Sequence, residues 1–302
     1  MAGRPRRSQR GTGSRAPRTA ELPARRPRRP GGLLVSRLDR ALVDRGLVNS
    51  RSRAAREIAA GRVTVNGRNA TKASQDVRDT DDVTVTEPDP WVARSAHKLL
   101  GALEAFDLTD RLQGLTALDA GASTGGFTQV LLTHEVAHVW AVDVGHDQLA
   151  PILRDDPRVH VREGLNLREL ADSDVPTVDL VVADVSFISL RLLIDPLLAA
   201  TAAGGELLLM VKPQFELARA SLDKHGVVTS RDRRRRAIDS VLEAVTDNGA
   251  RVTDIAPSPL PGPSGNREYF LRVRPGRTHH QSDRLDKADI PAHLDEMMRG
   301  ES

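Results

Sequence analysis

The sequence predicts an α/β protein in two parts, a small α+β module followed by a larger doubly wound parallel sheet. Three observations predict it. Strand-like and helix-like stretches alternate along residues 93–276, a helix–helix–hairpin pattern occupies residues 33–86, and charge is divided sharply along the chain. With 302 residues there is room for more than one domain at the usual ~100–200 residues apiece.

Net charge is only +3, but residues 1–32 carry ten arginines against Glu21 alone, a segment of +9. Residues 33–86 hold ten basic and seven acidic groups, or +3, which leaves −9 for residues 87–302. The first segment consists of Arg, Pro, Gly and Ser with almost nothing to bury. It is expected to be a disordered arm that attracts polyanions, a solubilising tail being the alternative. The chain has no cysteine. That removes disulfide scaffolds, Cys-based zinc sites and thiol nucleophiles, and it suits a reducing cytoplasm. The most apolar stretch, Ile194 to Val211, is broken by Asp195, Pro196, Gly204, Gly205 and Glu206. It falls short of the ~20 apolar residues of a spanning helix, and no apolar h-region follows the basic N-terminus, so neither membrane insertion nor secretion is expected.

The ordered pattern starts at Val35. Ser36 is a plausible N-cap for a short helix carrying Leu38, Ala41, Leu42 and Val43, which Gly46 ends. Ser50 caps a second helix with Ala54, Ala55, Ile58 and Ala59 on its inner face, closed by Gly61. Val63-Thr64-Val65 runs into Asn66-Gly67, a hairpin turn signal, and Val83-Thr84-Val85 is a further strand. Arg37, Arg40, Arg51, Arg53 and Arg56 would share one face of this module. Three of them oppose the positive end of the second helix's dipole, so local stability gives no reason for them and phosphate contact does. Two prolines then stiffen the linker, residues 87–92, in which Trp91 is expected to act as a hydrophobic anchor.

Beyond the linker, Ala93 to Phe106 is an amphipathic helix and Leu115 to Ala120 a strand. Gly126 to Thr133 (helix), Val139 to Val142, Val159 to Arg162, Leu180 to Ala183 and Leu207 to Val211 (strands) follow, with helical stretches between them. The set ends with a helix from Arg233 to Asn248 and strands Arg251 to Ala256 and Glu268 to Val273. Such alternation predicts a parallel sheet with both faces covered. Residues 277–302 read as a polar tail with one short helix near Ala292 to Arg299. The run Arg231 to Arg236 is either an exposed face or a second RNA contact, and His279-His280 has no third ligand to make a metal site.

The first strand-to-helix turn carries the chemistry. Asp119-Ala120-Gly121-Ala122-Ser123-Thr124-Gly125-Gly126-Phe127 lets the backbone approach a ligand and aims a helix N-terminus at it. It is neither a G-x-G-x-x-G dinucleotide fingerprint nor a P-loop. It is similar to the first motif of S-adenosylmethionine methyltransferases, with Asp119 two residues before the first glycine. Asp143 closes the second strand, where a carboxylate can accept from both ribose hydroxyls. Asp184 and Lys212 end two further strands, Glu268 opens the last strand, and Lys98 lies on the helix leading into the sheet.

These residues resemble known families. Arg37-Leu38-Asp39, Ser50-Arg51 and Gly61 through Gly67 resemble the S4 RNA-binding fold, which reads structured RNA by shape and backbone. Lys98, Asp184, Lys212 and Glu268 resemble the lysine–aspartate–lysine–glutamate tetrad of FtsJ-like ribose 2′-O-methyltransferases. Together with Ala183 to Ser189, Lys212-Pro213-Gln214-Phe215-Glu216 and Ser258 to Asn266, the chain from about residue 35 to 275 resembles the TlyA family. That resemblance implies a Rossmann-like methyltransferase sheet and S-adenosylmethionine held by Asp119, Gly121, Ser123, Gly125, Gly126, Phe127, Asp143 and Asn166. It also implies a catalytic tetrad of Lys98, Asp184, Lys212 and Glu268, and RNA contacts from Arg37, Arg40, Arg51, Arg53 and Arg56. The substrate would be cytidine in 16S rRNA, 23S rRNA or both, met on ribosomal subunits in the cytoplasm by a monomer that uses no metal. The chain departs from the family at Ser95, where a glycine is common, at Asp89-Pro90-Trp91, where some members have Arg-x-Trp, and in its long arm.

A ribose hydroxyl is a poor nucleophile, so the expected work is alignment and removal of one proton. Lys212 would contact the 2′-oxygen, either as base or by steering it with charge, while Asp184 orients Lys212 and Glu268 holds a lysine. Two other readings stand beside this one: a non-catalytic ribosome-assembly factor, and the membrane-lytic protein suggested by the name hemolysin that family members also carry. On the methyltransferase reading, deleting residues 1–32 should flatten the salt dependence of RNA binding more than it slows chemistry. Affinity measured across a salt series checks this; an unchanged slope would make the arm a tail only.

Overall fold

The computed structural model describes residues 35–48, 50–86, 90–276 and 289–300. The arginine arm, Glu87, Pro88 and Asp89 of the linker, and His279-His280 lie outside the described residues. Contacts divide the chain at Asp89 and Pro90 into two units, each considered by itself.

In the first unit, β1 (Val35–Arg37) pairs antiparallel with β4 (Asp76–Arg78), and β2 (Val63–Val65) lies between β3 (Arg68–Asn69) and β5 (Val83–Val85). Helices α1 (Leu38–Asp44) and α2 (Arg51–Ala59) complete a core of Leu38, Leu42, Ala54, Ile58, Val63 and Val77. Asn66 (φ 52°) and Gly67 (φ 74°) both take left-handed backbone, as a two-residue hairpin turn requires. Ser50 caps α2, accepting from the Arg53 amide at 3.2 Å. Ser36 does not cap α1; its backbone sits in the β1–β4 ladder opposite Val77, and α1 begins behind Arg37. Ala55 and Ala59 are exposed, whereas Glu57 is buried on the inner side of α2.

The second unit opens with α3 (Ser95–Ala105) and continues through β6 (Thr116–Ala120), α4 (Gly126–Thr133), β7 (His138–Asp143), α5 (Pro151–Arg154) and β8 (Val159–Glu163). It then runs through β9 (Val178–Ala183), α6 (Ile194–Ala199), β10 (Thr201–Val211), α7 (Pro213–Glu216), α8 (Arg231–Asp247), β11 (Ala250–Pro257), β12 (Tyr269–Pro275) and α9 (Ile290–Arg299). The strands form one sheet in the order β11-β12-β10-β9-β6-β7-β8. Strands β6 to β10 pair in parallel, but β12 runs antiparallel to both of its neighbours, so the sheet is not wholly parallel. A parallel return needs a crossover, usually a helix, and residues 258–268 between β11 and β12 contain none.

Side chains alternate between the two faces as the pleat dictates. Leu207, Leu209 and Val211 of β10 join Val241 and Val245 of α8 in one core, while Leu208 and Met210 join Leu99, Leu103 and Phe127 in the other. Trp91 and Val92 pack against the second core, and Gln129 fixes this entry, accepting from the Val92 amide at 2.7 Å and donating to Pro90 O at 3.0 Å. The tail is less polar than its composition suggests: α9 buries Ile290, Leu294 and Met298 in the first core. Much of the run Arg231 to Arg236 serves the fold. Arg234 is buried and donates to Thr229 O at 3.0 Å and Tyr269 Oη at 3.2 Å, Arg233 donates to Ser221 O at 2.8 Å, and Arg235 pairs with Asp239 and Asp295.

At the end of the sheet opposite the glycine-rich turn, Glu206 accepts from Arg272 at 2.6 and 2.9 Å and from Arg274 at 2.5 Å. Burial pushes its carboxyl up, but the two guanidiniums more than offset this and hold it below the usual range. A group with a depressed folded pKa stabilises above its unfolded pKa, and the gain fades as pH falls through the folded one. Glu206→Gln, which leaves Arg272 buried without its carboxylate, should cost about 3–5 kcal/mol at neutral pH. Urea unfolding at pH 7 and through a series of increasingly acidic buffers measures both the loss and its fading as Glu206 becomes protonated.

Candidate active site

The strand order reverses at β6, whose partners β7 and β9 lead away in opposite directions. Beyond the carboxyl ends of β6 to β9, where such a reversal opens a crevice, lies a cavity of about 640 Å³. Gly121, Ser123, Asp143, Asn166, Asp184 and Phe187 are on its wall. Gly121 has φ 87°, and a Cβ there would sit 3.1 Å from Asp184 O, so the turn needs glycine for both shape and closeness. Asp143 is held from both sides: Oδ1 accepts from the Gly145 amide at 2.7 Å and Oδ2 from the Ser123 amide at 2.9 Å. Each oxygen keeps a lone pair for another donor. Asn166 turns its Oδ1 to the Arg168 amide at 3.1 Å.

Glu163 builds this wall from below, and the sequence pattern carried no signal for it. It ends β8 and accepts from the amides of Asp147, Gln148 and Leu149 at 3.0, 2.9 and 3.2 Å. Arg154 and these amides, against burial, hold its carboxyl down at about 2.

Four of the anticipated cofactor residues do not line the cavity. Asp119 is fully buried under the turn, where Oδ2 accepts from Thr128 Oγ1 at 2.7 Å and burial raises its carboxyl to about 7. A Cβ on Gly126 would collide with Ser95 Oγ, and one on Gly125 (φ 98°) with Leu153. Phe127 stacks on Phe270 at 6.1 Å within the core. These four shape the turn from behind because the helix after it must pack closely against α3 and α5.

The tetrad residues form two ion pairs. Lys98 Nζ lies 2.5 Å from Glu268 Oε2, with side chains only 6% and 1% exposed. Lys212 Nζ lies 2.6 Å from Asp184 Oδ1 and donates to Ser186 Oγ at 2.8 Å. Gln214, two residues after Lys212 in the chain, donates from Nε2 to Glu268 Oε1 at 3.3 Å. Asp184 and Ser186 line the cavity, while Lys212 is not on its wall but ion-paired with the first and hydrogen-bonded to the second. Glu268 is admitted by Gly262, where a Cβ would come 2.6 Å from its Oε1.

Phe187 was not singled out from the sequence, since an exposed aromatic leaves no mark in a periodicity. It is 92% exposed, has left-handed backbone (φ 64°), and its ring lies 5.3 Å from that of Phe215. Phe215 in turn lies 5.9 Å from Lys212 Nζ.

On the first unit the five arginines are exposed, and four of them have carboxylate partners within the unit. Arg37 and Arg51 reach Asp39 at 3.1 and 2.7 Å, and their hydrogen bonds hold that carboxyl at about 2. Arg53 pairs with Glu57, which also takes Arg62 at 2.5 Å, and Arg40 lies 3.6 Å from Asp44. Ion pairs within the unit account locally for Arg37, Arg40, Arg51 and Arg53, which removes the dipole argument for Arg51 and Arg53 but not for Arg56. Their remaining N–H groups stay on the surface, because each guanidinium has five donors. Among the described residues there is no cluster able to hold a metal, and no helix is long and apolar enough to cross a membrane.

Residues 91–274 match the FtsJ-like methyltransferase family and residues 36–83 the S4 domain. The chain is 46% identical over 242 residues to the 16S/23S rRNA (cytidine-2′-O)-methyltransferase TlyA of Mycobacterium tuberculosis, covering 79% of this chain and 90% of that one. It is 36% identical over 239 residues to Hemolysin A of Brachyspira hyodysenteriae, covering 78% of this chain and 98% of the other. A solved structure named as a hemolysin from Streptococcus thermophilus superposes with a TM-score of 0.64 at 30% identity, over 89% of this chain and 99% of that one. An S4 domain in front of an FtsJ-like sheet, with this identity along most of its length, places the chain in the TlyA family of methyltransferases.

Proposed function

We propose that this chain transfers a methyl group from S-adenosylmethionine to the 2′-hydroxyl of cytidine in ribosomal RNA of one or both subunits, in the cytoplasm. The observation that carries the reading is the Lys212–Asp184–Ser186 cluster standing at the edge of the cavity walled by Gly121 and Asp143. The cavity fits the methyl donor chemically. Its volume lies within the ~300–1,000 Å³ of small-molecule sites, the Asp143 carboxylate offers acceptors for ribose hydroxyls, and Val144, Leu165 and Ile188 give it an apolar side. When bound, S-adenosylmethionine supplies an already activated methyl on a positively charged sulfur.

The chain's own residues then have an alignment task. Lys212 has three N–H donors; Ser186 takes one and the Asp184 carboxylate lies 2.6 Å from the ammonium, which leaves a donor for the incoming 2′-oxygen. Asp184 holds that ammonium in place from the cavity wall. Lys98 and Glu268 balance each other's buried charge and steady Gln214, two residues beyond Lys212. Phe187 presents an aromatic face on which a nucleobase taken out of its stack can rest. On the first unit, the exposed guanidiniums of Arg37, Arg40, Arg51, Arg53 and Arg56 suit an RNA backbone.

Purified chain incubated with radiolabelled S-adenosylmethionine and isolated 30S or 50S subunits tests the reading; 2′-O-methyl mapping of the RNA identifies the nucleotide. Absence of label from both subunits would overturn it. Lys212→Ala should reduce transfer by at least about a thousandfold, as loss of the group at the reacting oxygen does, with cofactor affinity within about twofold. Asp143→Ala should show the opposite pattern, weakening cofactor binding by about tenfold or more through the loss of two charge-assisted hydrogen bonds. Calorimetric titration of each variant with S-adenosylmethionine separates the two roles.

A further inference from the structure

The residues that matter most for the proposed reaction stand just past the end of the sheet. The β9–β10 ladder runs only as far as Ala183 opposite Leu209. Asp184, Ser186 and Phe187 lie on the segment leaving β9, and Lys212 on the segment leaving β10. Beyond the last rung, no ladder bond between these two strands sets the spacing of the two segments. Yet a lysine that aligns an oxygen has to stand in one place relative to the cavity wall.

Glu216 bridges the same gap from the other side. It ends α7, a single turn begun by Pro213 directly after Lys212, and it is 8% exposed. Its Oε1 accepts from the Leu190 amide at 2.7 Å, its Oε2 accepts from Ser189 Oγ at 2.5 Å, and Arg191 Nε lies 3.5 Å from Oε2. One carboxylate therefore binds the segment that follows Asp184, while its own backbone belongs to the segment that follows Lys212. Burial raises this carboxyl above its ordinary range against the bonds that lower it, so little water is at hand to replace those bonds. Between the two fastenings lies Phe187, in left-handed backbone that a bulky residue keeps only when its surroundings over-determine it.

We propose that Glu216 is a positioning residue for methyl transfer, clamping the Asp184–Leu190 segment to the Lys212–Glu216 segment so that Lys212, Asp184 and Phe187 hold their mutual geometry. The proposal rests on the methyltransferase reading above for its kinetic consequence, and on the hydrogen bonds alone for its structural one. It assigns work to a carboxylate outside the tetrad, which neither lines the cavity nor touches the reacting atoms.

The test uses full-length wild type, Glu216→Ala, Glu216→Gln and Ser189→Ala. Since a displacement near 1 Å costs about a hundredfold in rate, Glu216→Ala should lower kcat by about ten- to a hundredfold, with KM for subunits and affinity for S-adenosylmethionine within about threefold. Glu216→Gln can still accept from Leu190 and donate to Ser189, and should stay within about threefold of wild type in kcat. Ser189→Ala, which removes one bond and is the milder change should Glu216→Ala fold poorly, should fall between them. Amide hydrogen exchange supplies a reading without catalysis: residues 185–191 should exchange at least about tenfold faster in Glu216→Ala, with β6 to β9 unchanged. Unaltered kcat in both Glu216→Ala and Ser189→Ala, a Glu216→Gln rate as low as that of the alanine variant, or unaltered exchange would each overturn the clamp. A wild type that transfers no methyl would instead overturn the functional reading, and the exchange experiment would still decide the clamp.

Discussion

Lys98 and Glu268 are both nearly sealed from water, and either charge alone would be costly there. Much of the second unit is arranged around the need to give such groups partners. The pair forces α3, which carries Lys98, against the turn before β12, which delivers Glu268. Gly262 has to be glycine for that turn to reach. Gln214 connects this pair to the loop of Lys212, whose own charge is met by Asp184. At the far end of the sheet Arg272 and Arg274 meet Glu206 under the same constraint. On the first unit the surrounding arginines play that part for the buried carboxylates of Asp39 and Glu57.

Topology decides which of these pairs stands where a ligand can reach it. Because the sheet reverses at β6, the ends of β7 and β9 part and leave a cavity between Asp143 and Asp184. The parallel strands deliver their last residues to the same rim. The antiparallel β12 brings its first residue to that end too, which is how Glu268 arrives beside groups from the ends of the parallel strands. A wholly parallel sheet would have put the start of the last strand at the opposite end.

The elements and the identity of the site were largely legible in the sequence; the division of labour among its residues was not. The glycine-rich turn, Asp143 and the four tetrad residues could be read from motif and spacing, since backbone strain and strand ends leave local marks. Asp119 and Phe127 belong to the same motif, yet they serve it from inside the core, and a motif does not separate lining from backing. Ala55 and Ala59 fit a helical stripe but lie exposed, because the buried place on α2 goes to Glu57 with two arginines to pair with. Ser36 looked like a cap until strand pairing claimed its backbone.

By itself the sequence determined what is set within a few residues: the hairpin at Asn66-Gly67, the Ser50 cap, the strands with their alternating apolar faces, and the glycine-rich turn after β6. Charge along the chain likewise separated a basic front from an acidic remainder. Only the tertiary structure decided that the lysine Glu268 holds is Lys98, that β12 runs antiparallel, and that Glu216 ties together two segments lying past the sheet. The physical reason is range. Turn chemistry and side-chain periodicity act between near neighbours in the chain, whereas Lys98 and Glu268 are 170 residues apart and meet only once the strands between them are in order.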